Sequence, residues 1–164
     1  MYEHLLVALD GSPHAERVLE HTEALAKAFG STITLLRASV SAETLLAETA
    51  GSGQTLGDVS PVIDPTPILE ADREVAVEYL ESVAARLRQH NLTVNVEVVE
   101  GPAADEIVER AGALDVSLIL MTTHGRSGLG RVLFGSVADA VLRHASCPVL
   151  LVRVTEKDDR PEAS

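Results

Sequence analysis

Five short runs of aliphatic and β-branched residues punctuate this chain, and each gap between them is long enough to hold a helix. "HLLVALD" (4–10) and "DVSLILMT" (115–122) are nearly continuous apolar stretches, as strands covered on both faces are. "STITLLRASV" (31–40) is β-branched and then aliphatic, and "CPVLLVR" (147–153) is short and apolar. "LTVNVEVVE" (92–100) alternates only in part, the pattern of a strand near a sheet edge. Such strands, alternating with helices, specify an α/β domain: an open five-stranded parallel sheet with helices on both faces. Right-handed crossovers then put ligands beyond the carboxyl ends of the strands, where the strand order reverses.

The intervening segments read as helices. In "GSPHAERVLEHTEALAKAFG", Ala15, Val18, Leu19, Leu25, Ala26 and Phe29 share one face, with Thr22 partly on it. Pro13 lies near the start and Gly30 is placed to end it. "EADREVAVEYLESVAARLRQHN" sets Ala76, Leu80, Val83, Ala84 and Leu87 in register. "GPAADEIVERAGAL" carries Asp105 and Glu106 early, where the helix dipole favours acids, and "GSVADAVLRHAS" is the last helix. Residues 41–69, rich in Gly, Pro and Asp beyond "SAETLLAETA", are expected to form a mobile surface excursion. The expected organisation is one domain over 1–154 with a polar tail over 155–164.

Charge narrows the function. A net charge of −12, with two tyrosines, two phenylalanines and no tryptophan, argues against nucleic acid as a partner. No apolar run approaches bilayer length, and "MYEHLLVALDGS" lacks a basic n-region and a cleavage signal. The single Cys147 suits a reducing compartment, so a cytoplasmic protein is expected. The charge is uneven, however. Residues 122–153 hold Arg126, Arg131, Arg143 and Arg153 against one carboxylate, Asp139. That is either balanced surface charge or a seat for a small anion.

The anion reading gains from "MTTHGRSGLGRVLFGS" (121–136), which follows the fourth strand directly. It has no Gly-Lys-Ser/Thr, and Leu133 stands where a dinucleotide fingerprint needs its third glycine. What it retains is Gly125, nine residues, then Gly135-Ser136 at a helix start. Amides of Ser136, Val137 and Ala138 there can point at a phosphate. Asp10, ending the first strand, faces the same crevice. The plainer alternative is that Gly135-Ser136 only starts a helix. His124 has no second His or Cys at ligand spacing and no orienting carboxylate nearby, so it reads as a phosphate contact rather than a catalyst. His14 and His21 read as surface or packing residues, and Cys147 as a structural thiol.

Three matches make the chain similar to the universal stress protein (UspA) family: "LLVALDGSPHAERVLEHTEALAKAFG", "LDVSLILMTTHGRSGLGRVLFGSVADAVLRHASCPVLLVR", and the element order between them. It resembles the ATP-binding branch, whose signature is Gly-x-x-Gly-(nine residues)-Gly-Ser/Thr. Here Thr122, Gly125, Gly135 and Ser136 occupy those places, so Thr122 replaces the first glycine. The resemblance implies a Rossmann-like, adenine-nucleotide-hydrolase-like sheet with strand order 3-2-1-4-5. It implies that Asp10 contacts the ribose or adenine side of ATP and that Ala38 and Met121 line the adenine pocket. Thr122, His124 and Gly125 would border the triphosphate, Gly135, Ser136 and Val137 would hold it, and Arg126 and Arg131 would assist. Magnesium could accompany the nucleotide. It further implies a homodimer through 148–153 and a regulatory role in stress response; no residue set for rapid ATP turnover is seen, so any hydrolysis is expected to be slow. Two other readings stand beside it: a nucleotide-free dimeric stress protein of the same fold, and an adenine-nucleotide-dependent enzyme such as an adenylate-forming ligase. The ligase would need a glycine-rich loop after the first strand, where "LDGSPHAE" has one glycine.

Overall fold

A computed structural model describes residues 1–39, 41, 64–124 and 135–154. Among the described residues, five strands, β1 (His4–Ala8), β2 (Thr32–Ser39), β3 (Thr93–Glu100), β4 (Leu118–His124) and β5 (Val149–Val154), alternate with four helices. These are α1 (Leu19–Phe29), entered through a 3-10 turn at Ala15–Val18, α2 (Thr66–Arg88), α3 (Ala103–Ala113) and α4 (Ser136–His144). Every strand pair is parallel and the order is β3-β2-β1-β4-β5, as the resemblance implies. No helix among the described residues is long and apolar enough to cross a membrane.

The period of two along each strand divides the core. Leu5 and Val7 of β1, Ile33 and Leu35 of β2, and Leu118 and Leu120 of β4 face α1 and α2, where Ala26, Leu80, Val83, Ala84 and Leu87 meet them. Leu6, Leu36, Ile119 and Met121 face the other way, against Ile107 and Ala111 of α3 and Ala138 and Val141 of α4. Each fully buried Leu, Ile or Val contributes about 1.5–3 kcal/mol relative to exposure, so both faces must be covered.

Several boundaries differ from the sequence expectation. The fourth strand begins at Leu118 rather than Asp115, because Asp115 takes a left-handed φ of 50° and Val116 N–H returns to the Ala111 carbonyl, closing α3. α2 begins at Thr66, inside the stretch expected to be irregular: Asp64 Oδ1 accepts the Thr66 N–H at 3.0 Å and Pro67 occupies the first turn. The rest of that excursion over 42–63, and the tail over 155–164, lie outside the described residues. Gly30 ends α1 in the left-handed conformation (φ 68°), as expected. Phe29 is not on the buried face: it is 45% exposed and meets Tyr2 edge-on at 5.2 Å, while Thr22 is fully buried and donates to the Val18 carbonyl.

The two edges of the sheet are unlike. On β3, Arg88 donates through Nε and Nη2 to the Val94 carbonyl at 3.2 and 2.7 Å, and Arg73 Nη1 reaches the Val98 carbonyl at 3.4 Å. Two side chains of α2 thus cover carbonyls that an added strand would use. β5 forms the opposite edge.

Candidate functional site

β1 bonds to β2 on one side and β4 on the other, and the chain crosses between these halves after β3. Beyond the carboxyl ends of β1 and β4 lies a cavity of about 290 Å³, at the lower edge of the roughly 300–1,000 Å³ range of small-molecule sites. Five alanines (Ala8, Ala15, Ala38, Ala103 and Ala138) border it, so its walls are mostly main chain and methyl groups.

Leu9 N–H bonds the Leu36 carbonyl at 2.9 Å, carrying β1 one residue further before the backbone turns at Asp10. Asp10 is exposed at the rim, and its Oδ1 accepts the Ser12 N–H at 2.8 Å. Gly11, at φ 86°, makes that turn possible. Across the cavity, α4 starts from Gly135 at φ 76° and ψ 154°. A glycine cap brings no side-chain acceptor, and the amides of Ser136, Val137 and Ala138 have no acceptor within the helix. They carry the positive end of the helix dipole into the cavity. Asp139, also in the first turn, would oppose an anion there, but Arg143 pairs with it at 2.8 Å.

Seven residues singled out from sequence line this one cavity: Asp10, Ala38, Met121, Thr122, Gly135, Ser136 and Val137. His124 is the last residue of β4, paired in register with Val154. Gly125, Arg126 and Arg131 lie outside the described residues. Sequence reasoning missed Ile107 and Ala103 of α3, and Thr123 beside Thr122. The first two come from a helix whose amphipathic pattern marks them as core and does not reveal that its first turn overhangs the crevice. No cluster of metal-ligating side chains occurs among the described residues. Cys147 is half-buried in the apolar layer under α3 and α4, and burial pushes its thiol pKa up. His21 lies exposed beside Glu20 at 3.7 Å, a surface position as expected.

The family model described as "Universal stress protein family" matches residues 1–153. A universal stress protein of Methanocaldococcus jannaschii is 30% identical, with 96% of this chain and 86% of that protein covered. The solved structure of hypothetical protein MJ0577 superposes with a TM-score of 0.73 at 26% identity, covering 95% of this chain and 99% of the other. The universal stress protein from Archaeoglobus fulgidus, solved in complex with dAMP, shares the fold at a TM-score of 0.61 and 22% identity, covering 92% and 97%.

Proposed function

The chain belongs to the universal stress protein family, and from that premise we propose that it binds an adenine nucleotide, ATP by preference, and acts as a cytoplasmic regulatory protein. One observation carries the reading: the first turn of α4, which has no side-chain cap among the described residues, and Asp10 border one cavity together with Met121 and Ala38. A phosphate chain suits the helix end, where several amide donors of ~0.3–1 kcal/mol each must converge. Ribose hydroxyls suit a fixed carboxylate acceptor, and a purine suits a soft thioether wall. The residues present therefore fit the group. Thr122 adds a Cβ where the resemblance places a glycine, so it sets how closely the backbone approaches the phosphates. The dAMP complex of the Archaeoglobus fulgidus protein agrees with an adenine ligand on this fold.

Hydrolysis should be slow. Asp10 is the one ionisable side chain among the described residues lining the cavity, and general-base catalysis needs a group poised beside the attacking water. The output is then binding itself, read by a partner that distinguishes loaded from empty protein. We also infer a homodimer through β5, since the β3 edge is covered by Arg73 and Arg88.

The test is mass spectrometry of small molecules released on denaturing fresh protein, followed by thermal shifts with ATP, ADP and AMP. Ligand at a hundred times Kd adds about 2.7 kcal/mol, a rise of roughly 5–10 °C at this size. No shift with any of the three, and no nucleotide released, would leave the nucleotide-free dimer as the reading.

A further inference from the structure

We propose that Arg37 is a positioning residue for the candidate site, clamping the Asp10–Gly11–Ser12 turn so that the Asp10 carboxylate meets the ligand's ribose hydroxyls. This rests on the nucleotide reading above.

Arg37 and Ala38 are neighbours on β2 and point to opposite faces of the sheet. Ala38 lines the cavity. Arg37 instead extends on the α2 side and reaches over the carboxyl edge to the turn. A Cβ built on Gly11 would stand 3.0 Å from Arg37 Nη1 and 3.2 Å from its Cζ, so the guanidinium packs directly on the glycine. Its other side lies against Tyr79 of α2, with Cζ 5.7 Å from the ring centroid. At such a distance a guanidinium is held by the ring's quadrupole.

Tyr79 is itself constrained. Its hydroxyl is buried with no hydrogen-bond partner among the described residues. Burial first, and then the Glu16 and Asp10 carboxylates, push its phenol well above the usual range. Glu16 in turn pairs with Arg86 of α2 at 2.5 Å. Asp10 and the Tyr79 phenol thus share one electrostatic neighbourhood, and Arg37 bridges the turn to the ring. Among the described residues, the Asp10–Gly11–Ser12 turn is otherwise held by the Ser12 N–H to Asp10 bond and by the Ala15 N–H, which donates to the Ser12 carbonyl and hydroxyl at 3.1 and 3.2 Å; the first of these lies at an exposed site, and the other two anchor Ser12 rather than the Asp10 carboxylate. A carboxylate that must hold one orientation needs such support from behind.

Glycine at 11 serves both requirements. It permits the φ of 86°, and it leaves room for the guanidinium that a side chain would displace. The arrangement also explains why a half-buried arginine follows Ile33 and Leu35 on this face of the strand.

The experiment compares ATP with 2′,3′-dideoxy-ATP by calorimetric titration of the full chain, as wild type and as Arg37→Gln and Arg37→Lys. Amide hydrogen exchange on the same proteins, without ligand, reads the Ser12 N–H. The wild type should prefer ATP at least tenfold, Arg37→Gln should bring that ratio below threefold with dideoxy-ATP affinity unchanged, and Arg37→Lys should restore part of it. Exchange at Ser12 should quicken in Arg37→Gln while the β1 and β2 amides hold, which also confirms folding. A ratio unchanged in Arg37→Gln, equal weakening of both nucleotides, or unaltered Ser12 exchange overturns the proposal. Indifference of the wild type to both nucleotides overturns the nucleotide reading instead, and Ser12 exchange then still decides whether Arg37 clamps the turn.

Discussion

Replacing Gly135 by alanine separates backbone strain from crowding at the start of α4. At φ 76° and ψ 154° Gly135 occupies a region open essentially to glycine, and an L-residue held there costs about 1–3 kcal/mol. No described residue lies within 4 Å of the added Cβ, so crowding from them contributes nothing. Alanine also restricts the unfolded chain, returning about 0.4–1 kcal/mol. The two ranges leave a net loss centred on about 1.3 kcal/mol, a fall in Tm of roughly 3–5 °C for a chain of this size. Gly112 is the internal control, because it lies in α3 with equally open space around its Cβ and no positive φ. Gly112→Ala should gain about 0.5–1 kcal/mol. Thermal melts followed by circular dichroism, with urea midpoints at constant m, measure both. Opposite signs support the reasoning. A Gly135→Ala protein as stable as wild type would refute it, and the geometry assigned to the α4 amides would go with it.

Three further outcomes are expected. Arg73→Ala combined with Arg88→Ala uncovers the Val94 and Val98 carbonyls, and light scattering behind size exclusion should show association growing with concentration; an unchanged mass contradicts the covered edge. Tyr79, held neutral by burial, keeps its proton when folded and loses it near the usual pKa of about 10 when unfolded, so stability is intact below that pH and falls above it. The urea midpoint of the wild type should therefore drop more between pH 9 and 11, the window spanning about 10, than that of Tyr79→Phe; parallel curves contradict the assignment. Cys147, its thiol pKa pushed up by burial, should be alkylated by iodoacetamide near pH 8 more slowly in the native than in the guanidinium-unfolded chain, the thiolate fraction being smaller. Equal rates would count against its burial.

The strands were legible because their apolar runs carry the signal themselves: Leu5 to Val7 and Leu118 to Met121 have no helical alternative of that length. The switch point follows from the parallel alternation, which by itself sets Asp10 and Ser136 at one crevice. Where the reading slipped, local chemistry outweighed periodicity. "DPTP" looks like a loop, yet Asp64 Oδ1 accepts the Thr66 N–H and Pro67 suits a first helical turn, so Thr66 opens α2. Asp115 looked like the first residue of a strand because its left-handed φ leaves no trace in hydrophobic pattern. Phe29 fits the helical stripe by spacing, but α1 ends there and its ring turns to Tyr2. Arg37 gave no signal at all, since its contacts to Gly11 and Tyr79 exist only once the turn and α2 have converged.

A crevice bordered by five alanines has an unusual genetics. A conventional truncation survey substitutes alanine and looks for lost function, so it would pass over these positions without registering them. Only enlargement speaks here: a valine or leucine at Ala8, Ala38 or Ala138 takes up part of the cavity of about 290 Å³ that these methyl groups border. Selection on such a wall would act by forbidding growth, and a graded series of added methylenes would measure the shape of whatever normally fills it.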